Sequence, residues 1–217
     1  MVPWGVGVVL AVWCVIALAE FYALDAQWFR WLSQWGLTPV AHSSGVGAGL
    51  FATDHTAKLL SGFCGQFFHA DALHLLGNSA YFLVFGIQVE RVLGGLWLIV
   101  LTVVLGTVAL VLPMLWWAPV DAVVIGASGA ISGLLGLSLV LKPTDKMGLW
   151  LPLGVVPQFV VVPTWLIIAS WLVVQLIFLA NAPNYPEIAG SVHVVGFVSG
   201  VVLGLMARWA RQQRRTR

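Results

Sequence analysis

The sequence predicts an all-α polytopic membrane protein, a single domain over residues 1–217 with six transmembrane helices and both termini cytoplasmic. Three observations predict it. Of the 217 residues, 60% are hydrophobic and 8% are charged, whereas a soluble domain carries roughly 25% charged residues. The apolar residues fall into runs of about 20, the length that crosses a bilayer as a helix. Eight of the ten Lys and Arg residues then lie on one side of the resulting map, and an excess of basic residues marks the cytoplasmic side.

The first span covers 4–24. Its Ala17-Leu18-Ala19 before Glu20 imitates a signal-peptidase site. No basic residue precedes it and the run is long for a signal core, so it reads as a retained helix. The mixed segment 25–70 follows as an extracytoplasmic loop, and its aromatic piece from Trp28 to Trp35 suits an interfacial helix. Spans two, three and four cover 71–90, 95–117 and 123–141. The segment 143–161, punctuated by Pro143, Pro152 and Pro157 with Pro163 just beyond, reads as a loop lying partly at the interface. Spans five and six cover 162–181 and 188–208, and a basic cytoplasmic tail runs over 208–217.

Arg91, Lys142, Lys146 and the five arginines of the tail fall on the inner side. Asp25, Asp54, Asp71, Asp121 and Glu187 fall on the outer side, and Arg30 and Lys58 are the exceptions to the basic bias. No acidic or basic tract suits a nucleic acid. Cys14, mid-helix, and Cys64, in the loop, stand 50 residues apart and suggest neither a disulfide framework nor a metal site. The twelve tryptophans read mostly as interface anchors or lipid-facing bulk. His42 and His55 read as solvated loop residues.

Three stretches place chemically able side chains inside apolar helices: His69-Ala-Asp-Ala-Leu-His74-Leu-Leu-Gly-Asn78, Gly126-Ala-Ser128-Gly129 and His193-Val-Val-Gly196. Such groups cost free energy in hydrocarbon unless they find partners, so they are functional candidates. A hydroxyl, an imidazole and side-chain donors are the parts of a serine hydrolase. Spans two, four and six all run from outside to inside. Asn78 follows Asp71 by seven residues, Ser128 follows Asp121 by seven, and His193 follows Glu187 by six. At a helical rise of 1.5 Å per residue, these lie at a common depth of roughly 9–11 Å. His74 stands one turn above Asn78 on the same face.

Bland readings compete. Gly129-x-x-x-Gly133 and the glycines at 196, 200 and 204 also describe flat helix-packing faces. If Gly196 and Gly200 pack on Gly129 and Gly133, His193 descends beside Ser128. His69, His74, Asn78 and His193 make a poor zinc set, without an HExxH helix and with few carboxylates. No metal or other cofactor is expected. A small transporter or channel would show inverted repeats, and no convincing repeat is present.

These motifs resemble the rhomboid family of intramembrane serine proteases. The matching pieces are His69-x4-His74-x3-Asn78, Gly126-x-Ser128-Gly129-x3-Gly133 and His193-x2-Gly196-x3-Gly200, with Gly86-x3-Glu90-x3-Gly94 at the inner end of span two. They fall in the family's order on spans two, four and six. The resemblance implies a rhomboid-like bundle with Ser128 as nucleophile and His193 as general base. It implies an oxyanion hole from His74, Asn78 and the Ser128 N–H, with His69, Gly126, Gly129 and Gly196 in support. It implies substrates that are single-span membrane proteins, a lipid-embedded first loop, and span five as part of a lateral gate. The expected location is a bacterial inner (plasma) membrane, with the site opening to the extracytoplasmic side. A catalytically silent rhomboid-like protein that guides membrane helices is the alternative. Three departures stand out. Leu60-Ser61 replaces a common Trp-Arg, Val192 replaces a common Ala, and Ser132 replaces an aromatic under the histidine. Orientation of His193 is thereby left to other contacts. With no carboxylate evident at the site's depth, a dyad is expected and not a triad.

Overall fold

The computed structural model of the chain describes residues 3–22, 55–115, 124–151, 158–181 and 187–215. These form α1 (Trp4–Tyr22), α2 (His55–Gly65), α3 (Ala72–Leu93), α4 (Gly95–Val111), α5 (Ser128–Leu141), α6 (Thr164–Asn181) and α7 (Glu187–Arg215). A 3-10 turn, Leu112–Leu115, extends α4, and two short strands, β1 (Lys146–Leu151) and β2 (Gln158–Pro163), connect α5 to α6. Among the described residues, Ala72–Leu93 and Gly190–Ala210 are long and apolar enough to cross a membrane by length and composition; four further apolar helices are shorter.

The bundle is apolar on both its inside and its outside. Trp13, Phe82, Phe85, Leu98, Leu105 and Leu134 fill one continuous core. Large apolar side chains such as Val15, Leu73, Leu96, Trp97, Val198 and Met206 nevertheless stand exposed. A soluble helix would turn a polar face outward. Here several polar side chains lie inside, and Ser132, Thr164 and Gln66 are all but fully buried. Gln66 donates to the Phe63 and Val103 carbonyls and to Thr107 Oγ1, tying the segment after α2 to α4.

The central contact is α5 lying parallel to α7, and glycines bring the two backbones together. A Cβ on Gly196 would strike the Gly129 carbonyl, one on Gly200 the Gly133 backbone, and one on Gly136 the Phe197 carbonyl. Gly204 packs on Val140. Such small-residue faces replace hydrophobic driving force with close backbone packing. At the far end Glu90 is buried, and its carboxylate accepts from the Gly5 and Val6 N–H groups, both at 2.9 Å. An anion there satisfies two of the unpaired donors at the α1 N-terminus and complements its dipole. Gly94, at φ +92°, turns the chain from α3 into α4 in a conformation few side chains tolerate.

Several expectations need correction. The segment 143–161 is not only a loop. Lys146–Leu151 pairs antiparallel with Gln158–Pro163, Lys146 opposite Pro163 and Leu151 opposite Gln158. The β-branched run Val160-Val161-Val162 favours a strand, and Pro163 sits at the end of the ladder, where a missing N–H costs little. The fourth helix starts at Ser128, not 123, so the helical rise used for its depth does not apply between 124 and 127. The last helix continues to Arg215, through most of the expected tail, because Arg and Gln are good helix formers. Cys64 and His55 belong to α2 and not to a loop. Trp4, Trp97, Trp165 and Trp209 are exposed as expected of most tryptophans, whereas Trp13 and Trp171 are buried. The expected interfacial helix from Trp28 to Trp35, with His42, lies outside the described residues.

Candidate active site

α3 carries two of the candidate side chains. Asp71 is its N-cap, and one carboxylate oxygen accepts from the His74 N–H at 2.7 Å. This starts the helix so that His74 and Asn78 share a face one turn apart. His74 Nδ1 accepts from the Ala70 N–H at 3.4 Å, which leaves the ring proton on Nε2. That edge of the ring lies against Gly126, where a Cβ would come within 2.7 Å of Cε1 and 2.9 Å of Nε2. Gly126 adopts φ +114°, and its N–H donates to the Gly65 carbonyl at 2.9 Å. Both the turn and the crowding require glycine at this position.

Asn78 is buried, and its Nδ2 has no hydrogen-bond partner among the described residues. The same amide nitrogen stands 3.6 Å from the Cβ position of Gly126. A buried amide donor left unpaired is uncommon and calls for an explanation. His69 packs behind the pair, its ring 5.7 Å from Trp13 and 5.3 Å from His74. It supports the His74 ring and does not reach the cavity. Burial lowers its pKa to about 4, with the charge of His74 adding to the effect and the Phe67 carbonyl opposing it.

Ser128 is the first residue of α5. Ala127 offers no side-chain cap, so the first N–H groups of the helix keep their donor capacity. One turn on, the Ser132 hydroxyl donates to the Ser128 carbonyl at 2.6 Å. Gly129 lets α7 approach, and a Cβ there would meet Ala109 at 2.7 Å and Val192 at 3.0 Å. Val192 packs into the small cluster of Ala109, Leu110 and Val124.

His193 descends from α7 onto this point. The Ser128 hydroxyl donates to His193 Nε2 at 2.8 Å. The other ring nitrogen, Nδ1, donates to Gln175 Oε1 on α6 at 2.7 Å. The Trp171 ring, one turn before Gln175, lies 5.9 Å from the imidazole at 59°. A cavity of ≈ 550 Å³ opens between α3, α5, α6 and α7, and His74, Asn78, Ser128, Gln175 and His193 all line it. Hydroxyl, neutral base and unpaired donors therefore converge on one space, an arrangement suited to nucleophilic acyl transfer. Among the described residues no group of three His, Cys, Asp or Glu side chains could hold a metal ion.

The structure thus brings Ser128, His193, His74 and Asn78 together, with Gly126, Gly129 and Gly196 providing the clearances and His69 behind. Gln175 and Trp171 were missed by the sequence reasoning. The available signal was an amide in the middle of an apolar helix, four residues after a tryptophan, where a polar group needs a partner. The reading of span five as a gate concealed it.

No curated protein matches the chain closely enough to count as a relative. A family model described as the Rhomboid domain matches residues 56–210. That stretch includes α3, α5, most of α7 and every described side chain that lines the cavity. The chain belongs to the rhomboid family of membrane-embedded proteins, a family that includes serine proteases and inactive homologues.

Proposed function

We propose that the protein is an intramembrane serine endopeptidase that cleaves single-span membrane proteins in or near their transmembrane segment. The observation that carries the reading is the 2.8 Å hydrogen bond from the Ser128 hydroxyl to His193 Nε2 inside the cavity. Ser128 Oγ attacks the scissile carbonyl carbon while Nε2 takes the hydroxyl proton. The negative charge that develops on the carbonyl oxygen meets the Ser128 N–H, Asn78 Nδ2 and His74 Nε2–H. The C–N bond breaks as His193 returns the proton to the leaving amine. Water, deprotonated by the same nitrogen, then hydrolyses the Ser128 ester. The unpaired Asn78 amide supports this assignment, since a donor kept free of partners suits an oxyanion present only in transit. The reading calls on no metal or cofactor. A fluorophosphonate should label Ser128 in the detergent-purified protein, with or without EDTA. An unlabelled, well-folded protein would leave the helix-guiding alternative, and labelling lost in EDTA but restored by zinc would overturn the dyad.

Six membrane-spanning helices with both termini cytoplasmic belong to the same proposal. Arg91, Lys142 and Lys146 line one crevice. Glu90, next to Arg91, binds the start of α1. The N-terminus and these basic side chains therefore share one end of the bundle, and the positive end faces the cytoplasm. The site then opens to the extracytoplasmic side of what we take to be a bacterial inner membrane, where water can reach it. A reporter fused after Arg217 should read cytoplasmic, and one inserted at His42 extracytoplasmic. The opposite pattern would put the catalytic water on the wrong side.

A further inference from the structure

From the contacts of α6 with His193 we infer that Gln175 is a positioning residue, which holds the imidazole in the tautomer and orientation that let Nε2 accept the Ser128 proton. This inference rests on the proposed protease reading and adds a third, uncharged member to the pair. An amide oxygen can only accept. With Gln175 Oε1 at 2.7 Å from Nδ1, the ring proton is fixed on Nδ1 and the Nε2 lone pair is turned to Ser128 Oγ at 2.8 Å. The other tautomer would put an N–H against the hydroxyl and leave Ser128 without a base. A wrong tautomer alone disables a serine protease whose geometry is otherwise intact.

Trp171 and Gln175 are i and i+4 on one helix, so they reach the imidazole from the same side. Trp171 packs against the ring while Gln175 bonds its edge. Ser132 turns its hydroxyl to the Ser128 carbonyl instead of supporting the ring. The contacts absent from α5 are therefore supplied by α6. The titratable side chains of α3 that line the cavity are His74, which acts on His193, and Tyr81. α5 presents the Ser128 hydroxyl, α6 presents the uncharged Gln175 and Trp171, and among the described residues no carboxylate lines the cavity. A neutral acceptor orients the ring without drawing it into the imidazolium form before attack.

The alternative is that Gln175 merely ties α6 to α7. Cleavage of a single-span substrate, fluorophosphonate labelling of Ser128 and melting temperature, measured on wild type, Gln175→Leu and Gln175→Glu in detergent, separate the two. Gln175→Leu should lower kcat and the labelling rate together by about 10-fold, as expected for one lost hydrogen bond to an active imidazole, with KM little changed. Gln175→Glu should restore much of kcat at high pH. Its carboxylate favours the imidazolium, and the base must be neutral, so the acid limb of its rate profile should move to higher pH by about one unit or more. A Gln175→Leu protein with wild-type kcat in its folded fraction would overturn the inference. So would a Gln175→Glu protein whose acid limb does not move, and this second variant decides the matter if the leucine variant fails to fold. A wild-type protein that is neither labelled nor active would instead sink the protease reading itself. Normal labelling of every variant would remove only Gln175.

Discussion

Replacing Ser128 by alanine is expected to abolish cleavage while leaving the protein folded. Among the described residues the hydroxyl bonds to His193 Nε2, and the N-cap of α5 is Ala127 and not the serine. Alanine is a better helix former than serine, so the start of α5 should tolerate the substitution. Without the nucleophile no ester can form, and the oxyanion donors alone leave only residual catalysis. Loss of a serine nucleophile costs about 10⁴-fold or more in comparable enzymes. A time course on a model single-span substrate, with wild type alongside and melting temperature taken on the same samples, measures both halves. Retained cleavage above a few per cent of wild type would remove Ser128 from the nucleophile's place. His193→Ala should be nearly as damaging, because these groups act as a unit and their losses do not add.

Asn78→Ala and His74→Ala should lower kcat by about 10–10³-fold with much smaller effects on substrate binding. Both side chains bring N–H groups to the cavity beside Ser128. Those donors are worth most when the carbonyl oxygen carries full charge, so their loss raises the barrier more than it weakens the ground state. Asn78 is the cleaner test. Its Nδ2 has no partner to lose among the described residues, so truncation breaks no hydrogen bond from that nitrogen to them. His74 also packs on Gly126 and His69, so its removal should lower the melting temperature as well. In both variants the Ser128 N–H remains and leaves slow turnover. A packing role for these side chains makes the opposite forecast, a lower melting temperature with a normal rate in the folded fraction. Unchanged kcat in a well-folded Asn78→Ala protein would take Asn78 out of the oxyanion hole.

The family, the order of the motif-bearing helices and four of the side chains that line the cavity, His74, Asn78, Ser128 and His193, were legible in the sequence, each for a local reason. Apolar runs of span length announce helices because a backbone in hydrocarbon must satisfy its own hydrogen bonds. Polar residues in such runs are conspicuous because they are costly there. Glycines at four-residue spacing announce a close helix contact, and Gly196 on Gly129 with Gly200 on Gly133 is that contact. It places His193 over Ser128 because both helices run parallel and keep the same register.

What the sequence left undecided depends on partners distant along the chain. Counting residues from Asp121 to Ser128 assumed a helix, but Gly126 turns the chain and packs under His74, so α5 begins at the serine. The prolines between 143 and 163 read as breaks, yet Val160-Val161-Val162 pairs with Met147, Gly148 and Leu149, because a strand needs an opposing segment as well as local propensity. Gln175 is one amide in an apolar helix, and nothing within α6 says what it faces. The sequence by itself determined the family, the apolar helices and the identities of Ser128, His193, His74 and Asn78 as candidates, since composition and short-range periodicity carry that information. Only the tertiary structure decided that Ser128 stands at a helix start and that α6 closes on His193 through Gln175 and Trp171. Those are contacts across separate helices, and their geometry follows from how the helices pack.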